Sequence, residues 1–394
     1  MKKWPARLCF SVPLLWLVLM LSGCWSSTEL SNRVFPTIMT VDLLKDGNLE
    51  VSFGIPLPNQ MVPSQTGGQS KGGGEPFTFI SKKGKEMGQI LRDLQLDTTR
   101  DIFFGQTRVI VVGSRFAEQG MDPVIDLVSR QPNFHISANL FVTEDTVEDI
   151  KNSPAVGERF ISTVLTKFID EHLTLNTTVK DFLMSKNKSG DILIPRLSFK
   201  ERLNSDVVNP DKHLWARPDG AALFKNGKMI AGRHLNSDEL RGALWITSQI
   251  NDSISSIKSP TDNKEITFRI TNIKTKIKPI LKNNQISFQV KSQGSAYIFS
   301  SNSNLDIKNS EVLIKLRETL NKDLAQLMHQ TFQSTKQIKC DAFRLSDYLD
   351  WRYPKAWRQI QHQWDDYYAD QLKIEIDVDI TLNHTGTYYR SIER

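Results

Sequence analysis

The chain has few cysteines, and their positions leave no pair for a disulfide bond. Three occur in 394 residues: Cys9, Cys24 and Cys340. Cys9 lies in an N-terminal apolar stretch that is predicted to be removed, and Cys24 ends that stretch as a predicted modification site. Cys340 then remains as a free thiol, which we expect to be a small buried apolar side chain. The fold must therefore be held together by its hydrophobic core and not by cross-links.

A recognisable catalytic or metal-binding arrangement is also missing. No two of the seven histidines have the i, i+4 spacing that a helical metal site needs, and no Gly-x-Ser-x-Gly motif occurs. His329, Cys340 and His362 match no zinc spacing. Asp377 and Asp379 are a pair of carboxylates, but they alternate along one strand and are expected only to solvate its outer face. The sequence therefore predicts a protein that is not an enzyme and has no cofactor and no metal.

The N-terminal apolar run is too short to be a stable transmembrane helix. It extends over about 14 residues, from Leu8 to Leu21, whereas a membrane-spanning helix needs roughly 20. Lys2, Lys3 and Arg7 precede it and give the positive start of a signal peptide. We therefore predict a cleavable signal peptide over residues 1–23.

The four residues Leu21, Ser22, Gly23 and Cys24 resemble a bacterial lipobox, in which cleavage exposes the cysteine as the first residue. The prediction is that Cys24 carries an S-diacylglycerol group and an N-acyl group, so that the membrane is a partner through a lipid anchor. Two alternatives remain at this point. The apolar run is an uncleaved anchor, or the chain is cytoplasmic and its apolar start is coincidental.

Neither sign of charge is in large excess. The formal net charge is +6, but the predicted signal peptide carries three basic residues and no acid. The remaining chain has 47 Lys and Arg against 44 Asp and Glu. Such a balance does not favour nucleic acid as a partner.

Hydrophobic patterning predicts a multidomain protein of the α+β or mixed α/β class. Residues 24–205 alternate between strand and helix patterns, which indicates an N-terminal α/β domain with a mixed sheet, interrupted by a flexible glycine-rich loop over residues 59–76. Residues 206–262 are predicted as a small middle α/β domain that other segments complete. Residues 263–394 are predicted as a C-terminal α+β domain, in which a long amphipathic helix over residues 310–334 covers an antiparallel sheet.

Aromatic and basic side chains alternate in the segment 348–368. One interpretation is that the aromatic side chains complete the core of the last domain. The other is a partner surface, because Trp, Tyr and Arg are enriched at the energetic centres of interfaces. The residues of this candidate partner surface are Trp351, Arg352, Trp357, Arg358 and Trp364.

The stretch "IKTKIKP", residues 273–279, places its lysines on one face of a predicted strand. These lysines either belong to a solvated edge of a sheet or lie near anionic lipid headgroups.

Four segments, in order along the chain, resemble the Ger(x)C family, the C-subunit lipoproteins of spore nutrient germinant receptors. They are "GCWSSTEL" at residues 23–30, "RDIFFGQTRVIVVG" at 100–113, "GAALFKNGKMIAG" with "LRGALWI" within 220–246, and "YPKAWRQIQHQW" at 353–364. The resemblance extends over essentially the whole chain.

The resemblance implies a role in nutrient-triggered germination. It implies a lipoprotein on the outer face of the inner spore membrane of an endospore-forming bacterium. Its partners would be the membrane-embedded A and B subunits of the receptor, and its fold a set of three mixed α/β domains. Cys24 is the one functional residue that carries over, at the lipidated position. The alternatives are a substrate-binding lipoprotein of an importer, which has two similar lobes around a cleft, and an exported envelope enzyme.

Overall fold

The computed structural model describes residues 29–57, 77–155, 157–201, 214–304 and 309–383. The predicted signal peptide, Cys24 and the glycine-rich segment 59–76 lie outside these residues. So does most of the polar stretch that separates the predicted first and second domains.

Among the described residues, eight strands form a first, mixed sheet in the order β10-β9-β8-β7-β6-β2-β3-β4. The four central strands β2, β6, β7 and β8 are parallel, and antiparallel strands flank them on both sides. A short parallel pair, β1 and β5, lies apart from this sheet. The strands involved are β1 (Arg33–Val34), β2 (Ile38–Leu43), β3 (Leu49–Pro56), β4 (Phe77–Gly84), β5 (Asp101–Ile102), β6 (Val109–Gly113), β7 (Asn139–Thr143), β8 (Ile192–Glu201), β9 (Leu214–Lys225) and β10 (Lys228–Leu235).

Helices cover both faces of the first sheet, since its central strands are buried on both sides. In β6, Ile110 and Val112 face one cluster of core residues, and Val109 and Val111 face the other. Parallel strands covered in this way have continuous apolar sequences. The helices are α1 (Met87–Leu96), α2 (Ser114–Gln119), α3 (Asp122–Arg130), α4 (Val147–Lys151), α5 (Ile161–Asp170) and α6 (Val179–Lys186).

The strands predicted for the middle domain extend the first sheet. β9 pairs with β8 of the N-terminal region, and it turns into β10 at Asn226 and Gly227, which both have positive φ. Helix α7 (Ser237–Ile246) follows, and the side chain of Asn236 caps its first turn. A separate folding unit over residues 206–262 therefore stays a prediction, with strand β8 as the segment that would complete it.

The second sheet has four strands within the described residues, in the order β11-β12-β13-β14. β11 (Asp252–Lys258), β12 (Glu265–Lys282) and β13 (Gln285–Ser301) are antiparallel, as expected. β14 (Lys373–Leu382) is parallel to β13, which differs from the antiparallel expectation. The difference arises because a helical crossover connects the two strands, and a crossover of this kind allows parallel pairing.

Helix α8 (Ser310–Gln337) begins that crossover and covers the inner face of the second sheet. Its buried side chains include Leu316, Leu320, Leu324 and Met328, spaced by about one turn each. The predicted fold class is thus confirmed, with a mixed N-terminal sheet and a C-terminal sheet covered by a long helix. Two shorter helices, α9 (Leu345–Arg352) and α10 (Pro354–Ile360), complete the crossover with helical turns at Trp364–Asp366 and Tyr367–Gln371.

The two sheets share one hydrophobic cluster at their junction. Leu193 of β8 and Leu223 of β9 belong to the same cluster as Trp245 of α7, Phe332 of α8 and Phe288 of β13. The N-terminal and C-terminal parts of the chain are therefore packed against each other, and a change on one side of the junction is felt on the other.

Candidate functional site

Three of the predicted surface residues lie open to solvent on the helices α9 and α10. Trp351 is 84% exposed near the end of α9, and Arg352 is the exposed last residue of this helix. Arg358 is exposed in α10. An exposed indole and two exposed guanidinium groups on successive helices have the composition of an interface centre.

The other two predicted residues lie deeper. Trp364 is only 2% exposed, and Trp357 is half-buried with its ring edge-on to that of Trp364 at 5.4 Å between centroids. Tyr367 stacks on Trp364 at 6.2 Å. The structure thus places Trp364 in the core and not on the candidate partner surface. The reason is that its indole N–H finds a buried acceptor, which lets the whole ring leave water.

That acceptor is the carboxylate of Asp341, which organises the C-terminal helices. Its Oδ2 atom accepts the Nε1–H of Trp364 at 2.9 Å and the backbone N–H of Ser346 at 2.8 Å. Its Oδ1 atom accepts the backbone N–H of Leu345 at 2.8 Å. Asp341 therefore satisfies two of the free N–H groups at the start of α9 and also fixes the aromatic core behind α10.

Asp341 is also tied to the N-terminal region. Its backbone N–H donates to Oδ2 of Asp191 at 2.7 Å, and Asp191 directly precedes β8. Both carboxyl groups are buried, with 0% of Asp191 and 1% of Asp341 exposed. The result is a series of hydrogen bonds that runs from the start of β8 through Asp341 to Trp364 and to the first turn of α9, the helix that carries Trp351. We call Asp191 and Asp341 the acid joint.

Burial dominates the electrostatics of the acid joint. It raises the pKa of Asp191 to about 7, against the lowering effect of the N–H from Asp341, and the neighbouring charge of Asp341 raises it further. Burial likewise raises the pKa of Asp341, although its hydrogen bonds to backbone N–H groups and to Trp364 favour the charged form. Two buried carboxyl groups close enough for their charges to interact resist simultaneous ionisation, so the joint is sensitive to pH near neutrality.

Lysines from the N-terminal region reinforce the acid joint from outside. Lys225, the last residue of β9, forms an ion pair with Asp365 at 2.6 Å and donates to the carbonyl of Lys339 at 2.6 Å. Lys188 reaches Asp350 of α9 at 3.2 Å. These contacts connect the N-terminal region to three positions in the second half of the crossover segment. They hold α9 and α10 in place relative to the N-terminal region.

Cys340 lies beside the acid joint and is a free, buried thiol, as the sequence predicts. Its Sγ–H donates to the carbonyl of Phe224 at 3.4 Å. Burial raises the pKa of this thiol well above its usual value. A thiol that stays protonated is a poor nucleophile, so Cys340 packs at the junction.

The sequence gives only a weak indication of the acid joint. Asp341 lies a few residues before the aromatic and basic segment 348–368, and carboxylates are common near the starts of helices. Asp191 precedes an apolar strand and carries no special signal. Nothing in the order of residues shows that these two carboxyl groups meet.

Two further observations concern the described part of the chain. No group of three or more His, Cys, Asp or Glu side chains is placed there to hold a metal ion. None of the helices described is both long and apolar enough to cross a membrane.

Comparison with known proteins matches two family models to successive parts of the chain. Residues 26–199 match the family described as spore germination protein, N-terminal domain. Residues 219–386 match the family described as spore germination B3/GerAC-like, C-terminal. The two matches follow each other along the chain and leave only short segments unmatched.

Similar full-length proteins are known in Bacillus subtilis strain 168. Spore germination protein KC is 23% identical over 396 residues, which is 96% of each chain. Spore germination protein B3 is 23% identical over 385 residues, or 96% of this chain and 98% of that protein. The crystal structure of the GerBC protein superposes with a TM-score of 0.56 at 17% identity, covering 88% of this chain and 97% of that one. This structural similarity supports the fold.

Proposed function

We propose, for a chain that belongs to the GerAC-like family of spore germination proteins, the role of a non-catalytic, lipid-anchored subunit of a nutrient germinant receptor. Its proposed partners are the membrane-embedded A and B subunits. Its proposed place is the outer face of the inner spore membrane. The observation that carries the proposal is the match of both halves of the chain to germination families, behind a lipobox that ends at Cys24.

The proposed anchor has the right strength for a permanent membrane protein. Burial of an acyl chain contributes about 0.8 kcal/mol per methylene, and a single chain gives only reversible binding. A diacylglyceryl cysteine with an added N-acyl chain holds the protein at the membrane. Confinement to one plane raises the effective concentration of the chain towards its partners.

Contact with the partner subunits is assigned to the exposed part of the candidate partner surface. Trp351 offers the large apolar area, and Arg352 and Arg358 offer positive charge beside it. Trp357 and Trp364 support this surface from behind, through their contact with each other and the bond of Trp364 to Asp341. Surface and support together explain why one short segment contains three tryptophans.

The test is to replace the anchoring residue. Wild type, Cys24→Ala and the matched control Cys9→Ala are expressed in a spore-forming strain that lacks its other germinant receptors. Spores are fractionated, and the fall in optical density after nutrient addition is followed. We expect Cys24→Ala to leave the membrane fraction and to lose the response. Cys9→Ala, which changes a cysteine within the predicted signal peptide but keeps the lipobox, should behave as wild type.

Two results would contradict the proposal. Retention of Cys24→Ala in the membrane would mean that Leu8 to Leu21 is an uncleaved anchor. A normal response of wild-type spores after deletion of the A and B subunits would mean that the chain acts outside a receptor. Tight binding of a nutrient by the purified chain alone would instead favour a substrate-binding lipoprotein.

A further inference from the structure

The outer face of the second sheet carries two columns of charge, with a further lysine, Lys291, on the strand between them and another, Lys373, at the start of β14. Three lysines point outward from β12, and three carboxylates point outward from β14. All six side chains are exposed. The first set, which we call the lysine column, is Lys274, Lys276 and Lys278. The second set, the acid column, is Glu375, Asp377 and Asp379.

The strand register fixes the two columns opposite each other, with β13 between them. Lys276 pairs with Lys291 of β13, which in turn pairs with Asp377. These three residues form one row across the sheet. In the next outward-facing row on either side, a glutamine of β13 lies between a lysine of β12 and a carboxylate of β14. Residues in one row point to the same side of a sheet. The two columns are therefore parallel stripes of opposite charge, about 10 Å apart, because adjacent strands lie 4.7–4.9 Å apart.

The other face of the sheet prevents these stripes from shifting. Phe288, Val290 and Ile380 point inward and are fully buried under α8. A slip of one residue in register would bring the charges into the core. On this face, Asp377 of the acid column forms an ion pair with Lys291 of β13 at 3.5 Å. The lysine column itself takes part in none of the ion pairs found between described residues.

An anionic membrane is a poor match for this face. A lipid surface that attracts the lysine column would repel the acid column, which is separated from it by about one Debye length at physiological ionic strength. The surface that best matches this face has a negative stripe opposite the lysine column and a positive stripe opposite the acid column. A copy of the same face provides that arrangement when it is turned over about an axis parallel to the strands.

We propose that the outer face of the second sheet binds the same face of a second copy of this chain, through a two-fold axis parallel to β13. In this arrangement the lysine column of each copy lies over the acid column of the other. An axis perpendicular to the strands would place the two lysine columns together and is excluded by repulsion. The axis parallel to β13 brings together only Lys291 of the two copies, and each Lys291 has Asp377 of its own chain at 3.5 Å. The interface is isologous, as in most dimers of soluble proteins.

The size of the face indicates a weak dimer. β14 has ten residues, so the region with three strands measures roughly 33 Å by 14 Å, or about 450 Å² per copy. A standard interface buries about 800 Å² per partner. Such a contact needs a raised local concentration, which two chains in the same membrane plane would have.

The first test is cross-linking in membranes that contain the full chain. One tagged copy carries Lys276→Cys and a differently tagged copy carries Asp377→Cys. A short bismaleimide should join the two copies, and neither variant should cross-link efficiently to itself. As a control for random collision, Lys180→Cys on the exposed side of α6 replaces Lys276→Cys and should give at least five-fold less product. Equal yields for both pairs would overturn the proposal.

The second test exchanges the charges. We expect each reversed chain to lose association with itself, measured by co-purification of two tags, and a mixture of the two to recover it. Wild type and the two reversed chains should have the same circular dichroism spectrum and the same melting temperature, since the changed side chains are exposed. The variants are K274E/K276E/K278E and E375K/D377K/D379K.

Two outcomes of the charge exchange contradict the dimer. One is reversed chains that still associate with themselves, or a mixture that does not recover. The other is binding to phosphatidylglycerol vesicles that depends on the lysine column, without any association between copies, which would assign the face to lipid. Because neither test uses germination as a readout, failure of the dimer leaves the proposed receptor role standing.

Discussion

The backbone N–H of Asp341 donates to the carboxylate of Asp191 at 2.7 Å, across 150 positions of sequence. The bond joins the first residue before β8 to the segment that leads into α9. Because the side chain of Asp341 also holds Trp364 and the start of α9, one buried carboxyl group links the N-terminal sheet to the candidate partner surface. The two parts of the chain are therefore joined here by buried hydrogen bonds as well as by apolar packing.

The acid joint makes stability depend on pH. The pKa of Asp191 is raised in the folded protein to about 7 from an ordinary value of 3.8. Between these values the folded state binds a proton that the unfolded state does not, so stability falls as pH rises from about 4 to about 7. We expect a loss of about 1–3 kcal/mol over this range from Asp191. Urea denaturation of the purified protein at several pH values measures it.

Asp191→Asn should remove the share of this dependence that Asp191 contributes, whereas buried Asp341, whose pKa is also raised, keeps its own share. The amide oxygen still accepts the N–H of Asp341, but there is no charge to bury above neutral pH. The variant is expected to be at least as stable as wild type at pH 8. Asp101→Asn, at an exposed position on β5, is the control and should leave the slope unchanged. A wild-type slope that persists in Asp191→Asn would place the titrating group elsewhere.

Asp341→Ala should be destabilising at every pH. It leaves the N–H groups of Leu345 and Ser346 and the indole N–H of Trp364 without their acceptor, in a buried place. An unsatisfied buried donor costs about 1–3 kcal/mol, and partial relaxation suggests a total of about 2–4 kcal/mol. Hydrogen exchange should show faster exchange at Leu345 and Ser346. Unchanged protection of these two amides would show that the start of α9 does not depend on Asp341.

The sequence predicts those features that local patterns determine. The continuous apolar sequence of β6 predicts burial on both faces of that strand, and the apolar stripe of α8 predicts burial on one face of that helix. The structure agrees on both points. The parallel pairing of β14 could not be predicted, because its alternating pattern is the same for both pairing directions. Trp351 and Trp364 are alike in the sequence. In the structure Trp364 is the one that is buried, with its indole N–H donating to Asp341.

Gly242 of α7 should not tolerate a side chain. A Cβ atom at this position would lie 2.0 Å from Oγ1 of Thr331 and 3.2 Å from the carbonyl oxygen of Leu327, both in α8. Gly242→Ala would push the two helices apart and is expected to cost about 2–3 kcal/mol, as overpacking of a core does. Thermal unfolding measures this cost.

Gly88 of α1 is the matched control for that substitution. A Cβ atom there has nothing within 4 Å. Gly88→Ala should therefore leave stability unchanged or raise it by up to about 1 kcal/mol, through the better helix propensity of alanine. If both variants were destabilised equally, the close approach of α7 and α8 would not be the cause.

Trp351→Ala separates folding from partner contact. Because the indole is 84% exposed, its removal should change the free energy of unfolding by less than about 0.5 kcal/mol. If Trp351 is at the centre of the interface with the A or B subunit, the same change should weaken that contact at least tenfold, since buried interface tryptophans contribute about 2 kcal/mol or more. Spores that carry Trp351→Ala should then respond slowly to nutrient, although the protein is folded and present at a normal level.

Leu96→Ala provides the comparison for Trp351→Ala. Leu96 is a large apolar side chain, 74% exposed at the end of α1 and outside the candidate partner surface. Its loss should alter neither melting nor germination. A slow response in both variants would point to a general effect of exposed apolar residues on spore assembly. A normal response in Trp351→Ala would remove Trp351 from the interface and leave the partner contact to another surface.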